Sequence, residues 1–327
     1  MGNSYTTHDR LNNTSASFKP YSFSEGNYRR AYKGRYEMAE LDEVVGKSCV
    51  VKLAIDGGGS DQQQQRKKSK GGKKVVAKIA VGAGGVMKDL NEVAVGAARD
   101  IIKGGRGLGE IMDEVRSGRD WKTSMMLEDV VVSSVASQLS SEFNKRKDGS
   151  SDGVKRPLLF NVPRILHVST KSFWLRASVG DVCVVEDYIE GQYERYVSNN
   201  GTLLFHGTLS SFCHFTYHES GGRLLVVDIQ GVRGEERYEL TDPAIHTSGS
   251  GRVFGSLDLG DKGISAFFLT HECTGLCRGL RKPKAALERI NSKEKIMMKN
   301  GTFDPTAARR PSRLKSGGGG MGEKKGR

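Results

Sequence analysis

LLVVDIQGV, residues 224–232, and LTDPAIHT, residues 240–247, are the stretches that predict most about the fold. Four apolar residues before Asp228 predict a buried strand whose exposed end carries a carboxylate. Because side chains alternate along a strand, Gln230 points to the same side as Asp228. Asp242 follows twelve residues after Gln230, in a Thr-Asp-Pro context that favours a turn. Two carboxylates and an amide oxygen are ligands that Mg²⁺ prefers, although an aspartate after a strand is also typical of an ordinary surface turn.

Toward the N-terminus, residues 21–54 predict three strands with a glycine-containing turn between the first two. They are followed by GGGSDQQQQRKKSKGGKK, residues 57–74, whose polar and glycine runs cannot bury apolar surface. We therefore expect most of residues 56–118 to be an insertion, in which residues 86–102 and 108–116 could form short helices.

A regular apolar pattern follows this stretch. Apolar side chains recur every four residues along residues 121–145, which predicts one buried face of a helix: Leu127, Val131, Val135, Leu139 and Phe143. After it we expect short strands at residues 158–162, 165–169, 172–177 and 183–188. The spacing after Gly191 then favours a helical lobe with a buried strand at 223–229 and a helix at 264–277.

The net charge of +13 lies mainly in two low-complexity segments. Residues 61–78 and residues 309–327 each carry seven basic side chains and one acidic side chain, so the remaining chain is close to neutral. Basic residues concentrated in appendages do not predict a nucleic-acid-binding face, and nucleic acid is not expected as the main partner.

Neither a signal-peptide core nor an apolar run of roughly 18 residues is evident, so no membrane span is predicted. Five cysteines, an odd number, make a poor disulfide framework and favour a reducing compartment. The expected location is cytoplasmic or nucleocytoplasmic.

His271, Cys273 and Cys277 have the spacing H-x-C-x3-C, which is typical of ligands to a tetrahedral zinc ion. Buried cysteines without any metal are the alternative interpretation of this triplet.

Five segments of the sequence resemble the alpha-kinase family of Ser/Thr protein kinases, which includes elongation factor-2 kinase and the myosin heavy chain kinases. They are EDYIEGQYERYVSNNG (186–201), FCHFTYHESGGRLLVVDIQGV (212–232), TDPAIHT (241–247), FFLTHECTGLC (267–277) and FSEGNYRRAYKG (23–34). The resemblance implies an α+β, two-lobed protein-kinase-like fold with an antiparallel N-lobe sheet and a C-lobe stapled by zinc. The kinase domain is then expected at residues 17–282. Residues 1–16 are polar and expected to be disordered, and residues 283–327 form a basic, glycine-rich tail.

The resemblance also implies roles for individual residues. Glu186 and the backbone near Tyr188 would hold the adenine of ATP, Gly26 and Arg29 would contact its phosphates, and Lys52 would pair with the phosphates. Lys78, which also follows an apolar run, is the alternative lysine, and Glu128 is a candidate acidic partner for the lysine. Asp228, Gln230 and Asp242 would hold Mg²⁺ and orient the acceptor hydroxyl, with the division between the two aspartates left open. The family supplies His214 as the fourth structural zinc ligand, with His218 as its rival.

The expected function is ATP- and Mg²⁺-dependent phosphorylation of Ser or Thr in protein substrates. One segment departs from the family pattern, since GSLDLGDKG at residues 255–263 has Leu257 in place of a glycine and Asp258 in place of an asparagine. A catalytically inactive interaction module with the same fold is therefore the alternative. The sequence indicates neither the substrate nor the oligomeric state.

Overall fold

The computed structural model describes residues 5–9, 14–25, 29–38, 45–54, 90–146, 154–169, 178–200, 207–249, 251–284, 292 and 296–297. Seven strands and three helices come first: β1 (Tyr5–Asp9), β2 (Thr14–Glu25), β3 (Arg29–Met38), β4 (Ser48–Ala54), α1 (Leu90–Lys103), α2 (Leu108–Arg116), α3 (Trp121–Phe143), β5 (Leu158–Phe160), β6 (Arg164–Val168) and β7 (Val182–Asp187). Five strands and two helices follow: β8 (Tyr193–Val197), α4 (Thr208–Glu219), β9 (Leu224–Val227), β10 (Ile229–Arg233), β11 (Tyr238–Thr241), β12 (Ala244–Thr247) and α5 (Asp261–Thr270).

The N-terminal lobe is a closed, antiparallel β-barrel in the order β1-β2-β3-β4-β7-β6. Pairing of β1 with β6, at Thr7 with Val168 and His8 with His167, closes the barrel. Its interior is apolar and includes Phe18, Val51 and Leu166. The three strands expected in residues 21–54 are thus confirmed as β2, β3 and β4.

Two predictions for the N-terminal half need correction. The disordered N-terminus expected at residues 1–16 was wrong for β1 and the start of β2, because strand pairing holds these polar residues in the barrel. In addition, α1 and α2 fall within the insertion expected at 56–118, yet they bury Ala98, Ile101 and Met112 in the main core. The insertion can therefore involve only the part before Leu90, and residues 55–89 lie outside the described residues.

Helix α3 is the element on which both lobes pack, and it confirms the helix predicted over 121–145. Asp120 caps its N-terminus by accepting hydrogen bonds from the backbone N–H groups of Lys122 and Thr123. Its four low-propensity valines are all buried, so packing, not intrinsic preference, stabilises it.

The C-terminal lobe contains a four-stranded sheet, β5-β11-β10-β8, and a two-stranded sheet, β12-β9. The sequence predicted one buried strand after Gly191, whereas the structure has five, because short strands such as β8 carry too little alternation to be recognised. The helix expected at 264–277 ends at Thr270, and the strand expected at 172–177 lies outside the described residues. The tail at 283–327 lies almost entirely outside them as well.

Gly231 allows β10 and β11 to approach immediately after Gln230. Its φ is +146°, and a Cβ atom there would lie 2.1 Å from the carbonyl oxygen of Glu239. Only glycine fits this position without strain.

None of the five cysteines, all of which lie among the described residues, forms a disulfide. Among the described residues, no helix is both long enough and apolar enough to cross a membrane.

Candidate active site

Lys52 is the centre of a buried ion-pair cluster between the two lobes. Its Nζ lies 2.5 Å from Oε1 of Glu186 and 2.6 Å from Oδ1 of Asp242. Glu186 is on β7, next to β4 in the barrel, whereas Asp242 follows β11 in the C-terminal lobe. The hydroxyl of Thr241 donates a hydrogen bond to the second carboxylate oxygen of Glu186, at 2.7 Å. One lysine thus ties the barrel to the turn that contains Asp242.

Burial and neighbouring charges shift the pKa values of the three groups in this cluster in different directions. Burial alone would lower the pKa of Lys52, but the carboxylates of Asp242 and Glu186 outweigh it and hold the pKa above its ordinary value. Burial raises the pKa of Glu186 despite the neighbouring Lys52. For Asp242 the cations Lys52 and Arg29 outweigh burial, so its pKa is lowered and the carboxylate stays ionised.

Arg29 is a second cation of the barrel that faces this cluster. Its guanidinium forms a salt bridge and hydrogen bond with Asp129 of α3. The carboxylates of Asp129, Asp242 and Glu186 together raise the pKa of Arg29 against the effect of burial. This pairing with Asp129 of α3 fixes the direction of the Arg29 guanidinium.

Asp228 and Gln230 meet around Arg195 of β8. Nε of Arg195 lies 3.2 Å from Oδ1 of Asp228, and Nη2 donates to Oε1 of Gln230 at 3.2 Å. Gln230 in turn donates to the backbone carbonyl of Asp242 at 3.3 Å. The three predicted oxygen-donating residues therefore belong to one continuous set of contacts.

The backbone at both aspartates is unusual. Asp228 has φ +55° and Asp242 has φ +50°, in the left-handed region that aspartate tolerates better than most residues. Such conformations cluster where a structure fixes functional side chains, and here both aspartates contact basic side chains, Asp242 with Lys52 and Asp228 with Arg195.

Burial raises the pKa of Asp228 from 3.8 to about 6, although Arg195 opposes the shift. Its Oδ1 is buried and accepts no hydrogen bond from the described residues. A buried, charged oxygen without such a partner, beside an amide oxygen, fits a divalent cation such as Mg²⁺.

The structure places the remaining predicted residues as follows. The backbone N–H of Tyr188 donates a hydrogen bond to the backbone carbonyl of Ser48 at 3.2 Å. Nζ of Lys33 lies 4.1 Å from the centroid of the Tyr188 ring. The Glu186 carboxylate faces Lys52 and Thr241, so its adenine contact remains a prediction. Gly26 and Lys78 lie outside the described residues.

One proposed partner was wrong, and three contacts were not foreseen. Glu128 pairs with Arg116, at 2.5 Å, and not with Lys52. The neighbouring residue Asp129 contacts Arg29 instead, because successive helix positions point about 100° apart. Arg195 and Thr241 join the site only through strand pairing, which single-sequence patterns do not reveal.

A second cluster joins α4 to the segment after α5: His214, His271, Cys273 and Cys277. One ligand atom from each lies within 4.8 Å of all the others. Nδ1 of His214 is 3.2 Å from Nε2 of His271 and 3.7 Å from Sγ of Cys273. Tetrahedral zinc bonds imply separations of about 3.3–3.8 Å between N and S ligands. The donor set therefore fits zinc.

His214, and not His218, belongs to this cluster. Burial lowers the pKa of His214 to about 4, which keeps the imidazole neutral as a ligand must be. Its Nε2 is hydrogen-bonded to the carbonyl of Arg281 at 2.9 Å, leaving Nδ1 directed at the cluster. His218 instead accepts a hydrogen bond from the backbone N–H of Arg281 at 3.1 Å.

The loop that departs from the family pattern is held by Asp258. This carboxylate is 1% exposed and accepts hydrogen bonds from Thr247 and from backbone N–H groups of Val253 and Gly260. Leu257, beside it, remains 44% exposed. Both carboxylate oxygens of Asp258 thus have hydrogen-bond donors, so an aspartate at this position is compatible with an ordered loop.

A barrel lobe with a buried lysine, set against a lobe with two aspartates and a glutamine, defines an α+β, two-lobed protein-kinase-like fold. The alpha-kinase family model matches residues 99–277, more than half of the sequence, and the chain belongs to the alpha-kinase family.

Curated relatives agree with this assignment. The chain is 36% identical to alpha-protein kinase vwkA of Dictyostelium discoideum over 168 residues, which cover 50% of this chain and 25% of that protein. It is 42% identical to myosin heavy chain kinase B of the same organism over 120 residues, 36% of this chain and 15% of that protein. It is 43% identical to eukaryotic elongation factor 2 kinase of Homo sapiens over 99 residues, 29% of this chain and 13% of that protein. The chain thus matches a quarter or less of each relative.

Solved structures share the fold. An alpha kinase from Entamoeba histolytica superposes with a TM-score of 0.53 at 20% identity, covering 86% of this chain and 93% of that chain. The alpha-kinase domain of myosin-II heavy chain kinase A in complex with AMP-PNP gives a TM-score of 0.50 at 20% identity, covering 88% and 95%.

We predict that Asp228→Asn stabilises the protein at pH 7.5 in the absence of added Mg²⁺. The folded protein binds this proton more tightly than the unfolded chain, so ionisation of Asp228 lowers stability as pH rises from 3.8 to about 6. Asparagine avoids that cost and tolerates the left-handed backbone, so a gain of about 1–3 kcal/mol is expected. Urea denaturation at pH 7.5 and near pH 4 measures it, and the gain should vanish at the lower pH.

Asp242→Asn is the matched variant, and we expect it to change the free energy of unfolding in the opposite direction. Its pKa is lowered in the folded state, so its ionisation stabilises the protein at neutral pH and this contribution is lost as pH falls. The variant should unfold at lower urea concentration than the wild type at pH 7.5. Equal stability of both variants and the wild type would contradict the electrostatic description of the site.

Proposed function

We propose that this chain transfers the terminal phosphoryl group of ATP to Ser or Thr hydroxyls of protein substrates, in a Mg²⁺-dependent reaction. The observation that carries the proposal is the Lys52–Asp242 contact, which joins the predicted phosphate-binding lysine to the predicted catalytic turn at 2.6 Å. Family membership and the AMP-PNP complex of one structural neighbour support ATP as the nucleotide.

Phosphoryl transfer requires mainly positioning and charge stabilisation. Lys52 and Arg29 would supply fixed positive charge from the barrel, and their anchors Glu186 and Asp129 would hold these cations in place before the nucleotide arrives. Pre-formed charge of this kind needs no reorganisation during the reaction.

Asp228, Gln230 and Asp242 would hold Mg²⁺ and orient the acceptor hydroxyl. A bound Mg²⁺ ion would neutralise charge that develops on the phosphates. The amide of Gln230 donates a hydrogen bond to the backbone carbonyl of Asp242 at 3.3 Å, which links the turn of Asp242 to β10.

The alternative, an inactive interaction module, finds no support in the site. Gln230 and Asp228 share the guanidinium of Arg195, Gln230 donates to the backbone carbonyl of Asp242, and the Asp242 carboxylate contacts Lys52. The Asp258 substitution is accommodated by hydrogen bonds.

The test is transfer of radioactive phosphate from labelled ATP to a general protein acceptor and to the chain itself. We expect Asp228→Asn and Asp242→Asn each to lower the rate by roughly 100-fold or more, since each removes charge from the reacting centre. Asp113→Asn is the control, because Asp113 lies on α2 with its side chain 84% exposed.

Full activity of either active-site variant would remove that residue from the mechanism. Lack of transfer by the wild type with both acceptors, although it binds ATP, would support the inactive module.

We also propose that the cluster of His214, His271, Cys273 and Cys277 holds one structural zinc ion. Four protein ligands would close the coordination shell, which is the arrangement of structural and not catalytic zinc. The ion would fasten α4 to the segment after α5.

His214→Asn should abolish zinc binding and lower the melting temperature by about 10 °C or more, because several kcal/mol of metal binding would be lost. Elemental analysis, with one zinc per chain expected in the wild type, and thermal unfolding measure both effects. His218→Asn is the matched control and should retain the ion, since His218 bonds to the backbone of Arg281. Retention of zinc by His214→Asn would refute the ligand set.

A further inference from the structure

The loop between β12 and α5, residues 251–260, is closed on itself. A Cβ atom on Gly251 would lie 2.5 Å from the backbone nitrogen of Gly260, so the two ends of the loop are in direct backbone contact. Between them the buried carboxylate of Asp258 accepts hydrogen bonds from the backbone N–H groups of Val253 and Gly260. These contacts fix the conformation of the loop from within.

Helices α2 and α3 hold the same loop from outside. The guanidinium of Arg116 pairs with Glu128 at 2.5 Å and also donates a hydrogen bond to the backbone carbonyl of Val253. A Cβ atom on Gly255 would lie 2.9 Å from Oε2 of Glu128. The Glu128 carboxylate therefore lies directly against the loop backbone, at a position that favours glycine.

The far end of the loop is tied to the strand beside Asp228. Nδ2 of Asn199 donates a hydrogen bond to the backbone carbonyl of Leu257 at 3.1 Å. Asn199 follows two residues after Val197, which pairs with Ile229, the residue next to Asp228. Two residues of chain span at most about 7 Å, so Leu257 lies near the turn that carries Asp228.

A second connection leads from the loop to the basic side of the cleft. Glu128 and Asp129 are adjacent on α3 and contact different partners. Glu128 lies against the loop at Gly255, whereas Asp129 pairs with Arg29. The loop and the proposed phosphate-binding arginine are thus held by neighbouring residues of one helix.

Leu257 is the apolar side chain that this loop leaves in solvent. It is 44% exposed, whereas Phe254 of the same loop is 5% exposed. Because the loop backbone is already fixed, an apolar group of a ligand can pack on Leu257 without the entropic cost of ordering the loop.

We propose that Leu257 contacts the protein acceptor and selects acceptors that carry an apolar side chain near the phosphorylated hydroxyl. The inference rests on the proposed transfer to protein hydroxyls and adds the class of acceptor sequence. Arg116 and Glu128 are positioning residues, because they act on the acceptor through the loop that presents Leu257.

The test is a series of short soluble peptides with a single threonine, in which leucine or glutamine occupies one position at a time on either side. Transfer from labelled ATP gives kcat/KM for each peptide. Fluorescence anisotropy gives the Kd of labelled versions with alanine in place of the threonine, so binding is measured without catalysis. We expect the wild type to favour leucine at one or more positions by about 5-fold or more in both measurements.

Leu257→Gln should reduce this preference to within about 2-fold, because the apolar contact is lost. The KM for ATP and the melting temperature should stay at the wild-type values, since the Leu257 side chain is exposed and only its carbonyl bonds to the fold. Val45→Gln is the matched control. Val45 is also 44% exposed but lies on the turn between β3 and β4 of the barrel, so the leucine preference should persist.

Arg116→Gln tests the positioning role without changing Leu257. It should raise the KM for the leucine peptide by about 3-fold or more and leave the KM for ATP unchanged, because the carbonyl of Val253 loses its charged donor. Arg106→Gln is its control, since Arg106 pairs with Glu110 and Glu114 on the exposed side of α2. An unchanged acceptor KM in Arg116→Gln would refute the positioning role.

Absence of a leucine preference in the wild type, or a full preference in Leu257→Gln, would overturn the proposal. Phosphate transfer without sequence preference would overturn this inference and leave the proposed function intact. A Leu257-dependent preference in Kd without phosphate transfer would retain the peptide contact and remove the proposed function.

Discussion

The buried ion pairs of Lys52 are the interaction on which the rest of the site depends. Burying one ammonium group is costly unless carboxylates compensate it. Here the two carboxylates come from different lobes, Glu186 from the barrel and Asp242 from the C-terminal turn. The barrel strands and the turn are therefore positioned relative to each other by electrostatics as well as by packing.

This constraint explains the surrounding structure. Asp242 reaches Lys52 from a left-handed turn, and β12, which begins two residues later, pairs with β9 just before Asp228. The pairing of Ala244 with Val227 brings the two aspartate-bearing turns side by side. Helix α3 supplies a further carboxylate, Asp129, which holds Arg29 toward the same cleft.

Much of this arrangement could be predicted from residue order. The apolar run before Asp228 and the four-residue periodicity of α3 each indicated an element that the structure contains. Lys52 and Lys78 could not be separated by pattern alone, since both follow short apolar runs. Resemblance to a family favoured Lys52, and the structure places Lys52 at the site.

Other features depend on contacts between distant segments. Strand β1 is polar throughout and exists through its pairing with β2 and β6. Arg195 reaches Asp228 and Gln230 only because β8 lies beside β10 in a particular register. Glu128 and Asp129 are adjacent on α3, and hydrophobic periodicity cannot tell which of the two acidic side chains contacts the barrel.

The most direct test of the central claim is calorimetric titration of AMP-PNP and Mg²⁺ into Lys52→Met, with thermal unfolding recorded alongside. If Lys52 places its charge at the nucleotide phosphates, the variant will bind at least about 10-fold more weakly than the wild type. Lys52→Arg should retain part of the affinity, and Lys145→Met, whose parent side chain is 69% exposed, should retain all of it. A folded Lys52→Met variant that binds AMP-PNP as tightly as the wild type would contradict this account of the site.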